Sequence, residues 1–223
     1  LKIMRASHVV SYVLMTLVTV IATACGDASA KGETGTNITD TNLPEEFAPD
    51  AGHPALHRSQ TGGLAVAMPD SLAKSIVSRF KMYNFHDTLT GDTLHFNLFS
   101  PQPVEPGRIY PLVMFLPDAS TDFQRRNPCY VLVPQYRDVA VNGKRQVSNE
   151  VGMTVRMLKS VLQNWQIDLS RVYVSGQSMG GMIAMHLTSE YPDLFAASMF
   201  VACDWSIESY NKIVNLPFVF IAA

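Results

Sequence analysis

Apolar residues recur along this chain in three rhythms, and each predicts a different element. Tyr83 to Thr88 and Thr93 to Phe99 alternate, with Leu94, Phe96 and Leu98 on one face and Thr90-Gly91-Asp92 between the two runs. That pattern predicts a β-hairpin. Leu112 to Leu116 and Tyr130 to Val133 are continuous apolar runs, as expected of strands buried on both faces of a parallel sheet. Val151, Val155, Leu158, Val161, Leu162 and Trp165 keep helical spacing and predict a helix from about Asn149 to Trp165. Val172 to Val174, Ala197 to Ala202 and Phe218 to Ile221 supply three more strands. Strands alternating with helices predict an α/β fold built on a doubly wound, mostly parallel sheet.

The first 69 residues follow none of these rhythms. Lys2 and Arg5 precede an apolar run from Val9 to Ala24 that ends Ala22-Thr23-Ala24-Cys25. The run is short for a membrane span and suits the core of a signal peptide. Small residues leading to a cysteine resemble a bacterial lipoprotein processing site, so residues 1–25 are expected to be a signal and Cys25 a lipidation site that anchors the exported protein to a membrane. A cleaved signal with an incidental cysteine is the plainer alternative. Residues 26–69 are dominated by Gly, Ser, Thr, Asn, Asp, Pro and Glu, too polar to offset the entropy of ordering, and predict a flexible tether. Asp70 is placed to cap a short helix through Phe80, with Leu72, Ile76, Val77 and Phe80 on one side. Residues 70–223 then form the folded domain.

Composition narrows the function classes. With 223 residues, 47% apolar, the chain can bury one substantial core. A formal charge of -2 and no Lys/Arg cluster give no electrostatic footprint for nucleic acid. No His/Cys/Asp spacing suggests a metal, and no motif requires a cofactor. Cys129 and Cys203 fall on or beside strands that are not expected to be neighbours, so two small thiols are expected there.

The candidate chemistry lies in Gly176-Gln177-Ser178-Met179-Gly180-Gly181, directly after Val172-Tyr173-Val174 and at the head of a helical stretch. This is a strand, a sharp turn and a helix, with Gly176 and Gly180 as the turn glycines and Ser178 held exposed between them. Ser178 is the candidate nucleophile; a structural serine in a strand-to-helix turn is the alternative. Together with Ile167 to Ser175, Tyr110 to Leu116 and Pro128 to Gln135, the motif resembles the α/β-hydrolase superfamily. The similarity is to the branch of secreted bacterial esterases that includes feruloyl and acetylxylan esterases and polyhydroxybutyrate depolymerase-like proteins, and it covers about residues 82 to 223.

The resemblance implies a serine hydrolase acting on carboxylic esters, including polysaccharide-linked acyl or feruloyl groups. It also implies an oxyanion hole built from the backbone N–H of Met179 and one from Asp118 or Ala119, in the loop after the strand ending at Leu116. The acid and histidine of such a site follow the serine in sequence. After Ser178 the only histidine is His186, eight residues along the same helix and about 12 Å away at 1.5 Å per residue, and Asp193, Asp204 and Glu208 occupy turn-like or solvated contexts. The expected fold is therefore incomplete at its C-terminus, and activity is expected to be impaired. Only Pro117 to Cys129 separates two strands that, if parallel, need a crossover of a dozen or more residues, a second irregularity consistent with a truncated gene product. An uncovered last strand predicts poor solubility. A peptidase or other acyl hydrolase of the same fold, and a non-catalytic relic or binding module, are the other functions left open.

Overall fold

The computed structural model describes residues 44–49, 79–116, 128–137 and 139–222. Eight strands form one sheet: β1 (Phe47–Pro49), β2 (Phe80–His86), β3 (Thr93–Phe99), β4 (Tyr110–Leu116), β5 (Tyr130–Gln135), β6 (Ile167–Gln177), β7 (Ala197–Val201) and β8 (Phe218–Ile221). Their order across the sheet is β1-β2-β3-β5-β4-β6-β7-β8. The flank from β1 to β3 is antiparallel and joins β5 antiparallel, while β5, β4, β6, β7 and β8 run parallel. The architecture is thus the mostly parallel α/β sheet that the apolar rhythms predict.

The predicted hairpin forms in register, with Tyr83 opposite Phe96 and Phe85 opposite Leu94. The continuous runs become β4 and β5, buried along almost their whole length. These two strands are adjacent and parallel, so the short interval between them does connect parallel neighbours; residues 117–127 lie outside the described set. Helix α1 (Asn149–Asn164) buries the predicted stripe, and Trp165 is its C-cap. Helix α2 (Met179–Glu190) follows β6. Both pack on the face of the sheet that carries Leu98, Leu112, Met114, Val172 and Val174, forming the main core. Phe99, Val113, Val131 and Tyr173 form a second buried cluster on the opposite face.

Three local expectations change. Phe80 opens strand β2, where it pairs with Phe99, and does not end a helix; the rest of the proposed helix, 70–78, is outside the described residues. Phe47–Pro49, inside the stretch expected to be a tether, forms β1 against β2, and Phe47 is 4% exposed. The reason is aromatic: Phe47 meets Trp165 edge-on with ring centroids 5.0 Å apart, a contact that a local composition count does not see. A third helix, α3 (Ile207–Ile213), was not anticipated because it has seven residues, only two of them buried, too few to show a period. Ser206 caps it by accepting the Ser209 N–H at 3.2 Å.

Candidate active site

Ser178 stands between the last residue of β6 and the first of α2, with φ 54° and ψ -122°. A left-handed φ at a residue with a Cβ costs on the order of 1–3 kcal/mol and persists only where the surroundings impose it. Here they do. The Ser178 N–H donates to the Val201 carbonyl at 2.9 Å, anchoring the turn to the end of β7, and the Ser178 carbonyl accepts the Met182 N–H at 3.0 Å inside α2. The side chain is left exposed at the C-terminal end of the parallel strands.

Close packing explains the glycines. A Cβ on Gly176 would lie 2.2 Å from the Gly180 carbonyl oxygen, so the backbone before the serine touches the first turn of the helix after it. A Cβ on Gly181 would meet Cys203 Sγ at 2.6 Å and the Gly176 carbonyl oxygen at 3.0 Å. Gly180 itself is buried in this junction. Met179 is the first residue of α2, so its N–H has no carbonyl one turn back to serve, and it points from the positive end of the helix dipole. That is the arrangement an oxyanion donor needs. Asp118 and Ala119, the other expected donors, lie outside the described residues, as does Cys25. Among the described residues no helix is long and apolar enough to cross a membrane.

The described histidines are engaged elsewhere. His86 Nδ1 is 3.4 Å from Thr93 Oγ1 and His95 Nδ1 is 2.5 Å from Asn84 Oδ1, both on the hairpin. His186 is half-buried on α2, its ring centroid 5.9 Å from that of Trp205. Burial lowers its pKa, with nearby Glu190 opposing and Lys212 adding to the effect, so the imidazole is held neutral. The candidate acids are likewise occupied or remote. Asp204 accepts from Arg145 Nη2 at 2.5 Å, Asp193 lies in the 3-10 turn Pro192–Leu194, and Glu208 is in the first turn of α3.

Sequence reasoning missed two strained residues, one of them at the end of β7 and the other joined to Asp204 just after it. Arg145 and Ala202 also have left-handed φ, 59° and 47°. Ala202 follows β7 immediately and donates its N–H to the Ile221 carbonyl at 2.8 Å. Arg145 is the last residue of a turn organised by Asn142 Oδ1, which accepts the N–H groups of Lys144 and Gln146 at 2.9 and 3.0 Å. The Asn142-Gly143 dipeptide was the available cue. Next to Ala202, Cys203 rests against Gly181 of the elbow helix; burial, and then the Asp204 charge, push its thiol up to about 11, which makes it packing rather than a nucleophile. Cys129 and Cys203 are thiols and not a disulfide pair.

Comparison with known proteins bears on the family and the fold. Residues 134–212 match the family model "Putative esterase". A 40-residue stretch is 45% identical to an acetylxylan esterase of Coprinopsis cinerea, covering 18% of this chain and 11% of that protein. The fold superposes on a thermostable esterase with a TM-score of 0.59 and 26% identity, over 66% of this chain and 47% of that one. A ferulic acid esterase aligns at a TM-score of 0.46 and 16% identity, over 61% of this chain and 65% of that one. The chain thus spans about half the length of the thermostable esterase and about a tenth of the curated acetylxylan esterase.

Proposed function

We propose, from the premise that this chain is a member of the α/β-hydrolase esterase family, that it is a carboxylic-ester hydrolase with Ser178 as nucleophile. Its substrates are acyl or feruloyl esters carried on polysaccharide. The observation that carries the reading is the strained Ser178 itself: a φ of 54° in a packed turn, with the side chain exposed, is a costly conformation with no structural benefit of its own. In the reaction Ser178 Oγ attacks the ester carbonyl and its proton passes to a base. The carbonyl oxygen takes up negative charge against the Met179 N–H, the ester C–O bond breaks as the base returns the proton to the departing alcohol, and water then hydrolyses the acyl-Ser178 ester to release the acid and restore the serine.

None of the described histidines is placed as a base for Ser178, and a site working without one is expected to be a weak catalyst. Loss of the base costs on the order of 10^6 in turnover where serine and histidine act as a unit, leaving roughly 10^3 to 10^4 over water from oxyanion stabilisation and binding. The same placement supports the second reading, a non-catalytic module that keeps the fold. Labelling with a fluorophosphonate probe separates them. The hydrolase reading expects slow labelling that is accelerated by free imidazole and absent in Ser178→Ala. Labelling indifferent to Ser178, or none even with imidazole, overturns it. Fast labelling without imidazole would show instead that a base is already in place.

A further inference from the structure

A groove of about 400 Å³ runs between α1, α2 and the turn that joins β2 to β3, away from the elbow. Its apolar lining includes the buried side chains of Val151, Val155 and Leu187, and Tyr191 lines it as well. The Tyr191 ring lies under the Lys159 ammonium, with Nζ 5.6 Å from the centroid, which holds the ring in place as a wall. The polar groups that line it are neutral apart from Arg156. Thr90, Ser148, Asn149 and His186 are all neutral groups able both to donate and to accept.

The charges around the groove are already paired. Arg156 donates from Nε and Nη2 to the two oxygens of Asp87 at 2.8 and 2.6 Å, and Lys212 donates to Glu190 at 2.6 Å. Ser148 is the N-cap of α1 yet makes no capping bond, and its Oγ is shielded with no hydrogen-bond partner, an uncommon condition for a hydroxyl in a folded protein. A concave apolar floor with a few convergent polar groups is the usual form of a small-ligand site. With neutral donor-acceptor groups, and with Arg156, the charged residue of its lining, already paired to Asp87, this one suits an uncharged, hydroxyl-rich ligand.

We propose that the groove lined by Asn149, His186 and Tyr191 is an accessory saccharide-binding subsite. His186 lies on the helix that Ser178 heads, about 12 Å along its axis at 1.5 Å per residue, so an extended sugar chain can engage the groove while an ester it carries lies near the serine. That link to catalysis rests on the hydrolase reading above; the binding itself does not.

The test is titration of the Ser178→Ala chain with xylohexaose, which carries no ester, followed by calorimetry and by the fluorescence of Trp205, the ring in contact with His186. Saturable binding is expected, weakened about tenfold by removal of one key contact in His186→Ala, Tyr191→Ala and Asn149→Ala. Asn149 is exposed, so its replacement leaves the fold intact and keeps the test decisive if either of the others destabilises the protein. No saturable binding, equal binding by all three variants, or stronger binding of a polygalacturonate oligomer than of the neutral sugar overturns the proposal. Intact sugar binding by a chain whose Ser178 never labels would sink the hydrolase reading and leave the subsite standing.

Discussion

The two flanks of the sheet are held in different ways, with the elbow between them. On the antiparallel side, side chains do most of the anchoring. Phe47, Tyr83, Phe96 and Trp165 interlock as an aromatic group with centroids 5.0 to 6.0 Å apart, and Ser160 of α1 donates to Glu46 just before β1. Asp87, its side chain 2% exposed, is gripped by Arg156 of α1. On the parallel side, β8 has four residues, its ladder to β7, and two rings, Phe218 and Phe220, that remain 38% and 37% exposed. The helix above it, α3, keeps Ile207 and Val214 beside it 67% exposed. The lesson is that strand pairing sets topology on both flanks, whereas buried side-chain contacts decide which flank is firmly held.

The largest expected effect is at the anchored flank. Arg156→Ala leaves the Asp87 carboxylate buried without its cation, and urea unfolding should show a loss of about 3–5 kcal/mol. The corresponding ion pair near the open flank, Lys212 with Glu190, has side chains 50% and 43% exposed, and Lys212→Ala should cost less than about 1 kcal/mol. Equal losses in the two variants would break the comparison.

Acid should sharpen it. Arg156, first through its hydrogen bonds, lowers the Asp87 carboxyl from 3.8 to about 2, with Thr90 and the Leu89 N–H assisting against burial. A group depressed in the folded state stabilises fully above its unfolded pKa and loses that contribution as pH falls through the folded one. Stability should therefore drop by about 2–3 kcal/mol, at 1.36 kcal/mol per unit, as pH is taken from above 4 to below 2. In Arg156→Ala that component of the fall should be missing; an unchanged acid profile would assign it to other carboxylates.

The smallest effect on stability is expected at the open edge. Phe218→Lys places a charge on β8, the outermost strand at this side among the described residues and one that carries no charge, which disfavours pairing with other chains. Light scattering of concentrated protein should fall while the unfolding free energy changes by less than about 1 kcal/mol. Scattering that persists would mean that association does not use this strand.

How much of this was legible in the sequence depended on distance along the chain. The hairpin, β4, β5, α1 and the elbow could be read because each is set by residues within a few positions: alternation, apolar runs, helical spacing, and a serine flanked by glycines at the end of a strand. The seven residues of α3 were too few to carry a period, and Phe47 sits in a polar stretch whose composition outweighs one aromatic side chain. Gly181 illustrates the boundary at the site. Its place in the motif is plain in the sequence, but its physical reason, a Cβ that would meet Cys203 Sγ at 2.6 Å, comes from a residue beyond the next strand.

The α/β class and the strand-turn-helix that presents Ser178 were fixed by the amino-acid order alone, since both follow from local pattern. Only the tertiary structure decided that Val201 carries the Ser178 N–H, that Arg145 closes on Asp204, and that α1 and α2 leave a groove lined by His186 and Tyr191. These depend on which distant segments become neighbours, and neighbours are chosen by the packing of the whole sheet and its helices, which no short window of residues contains.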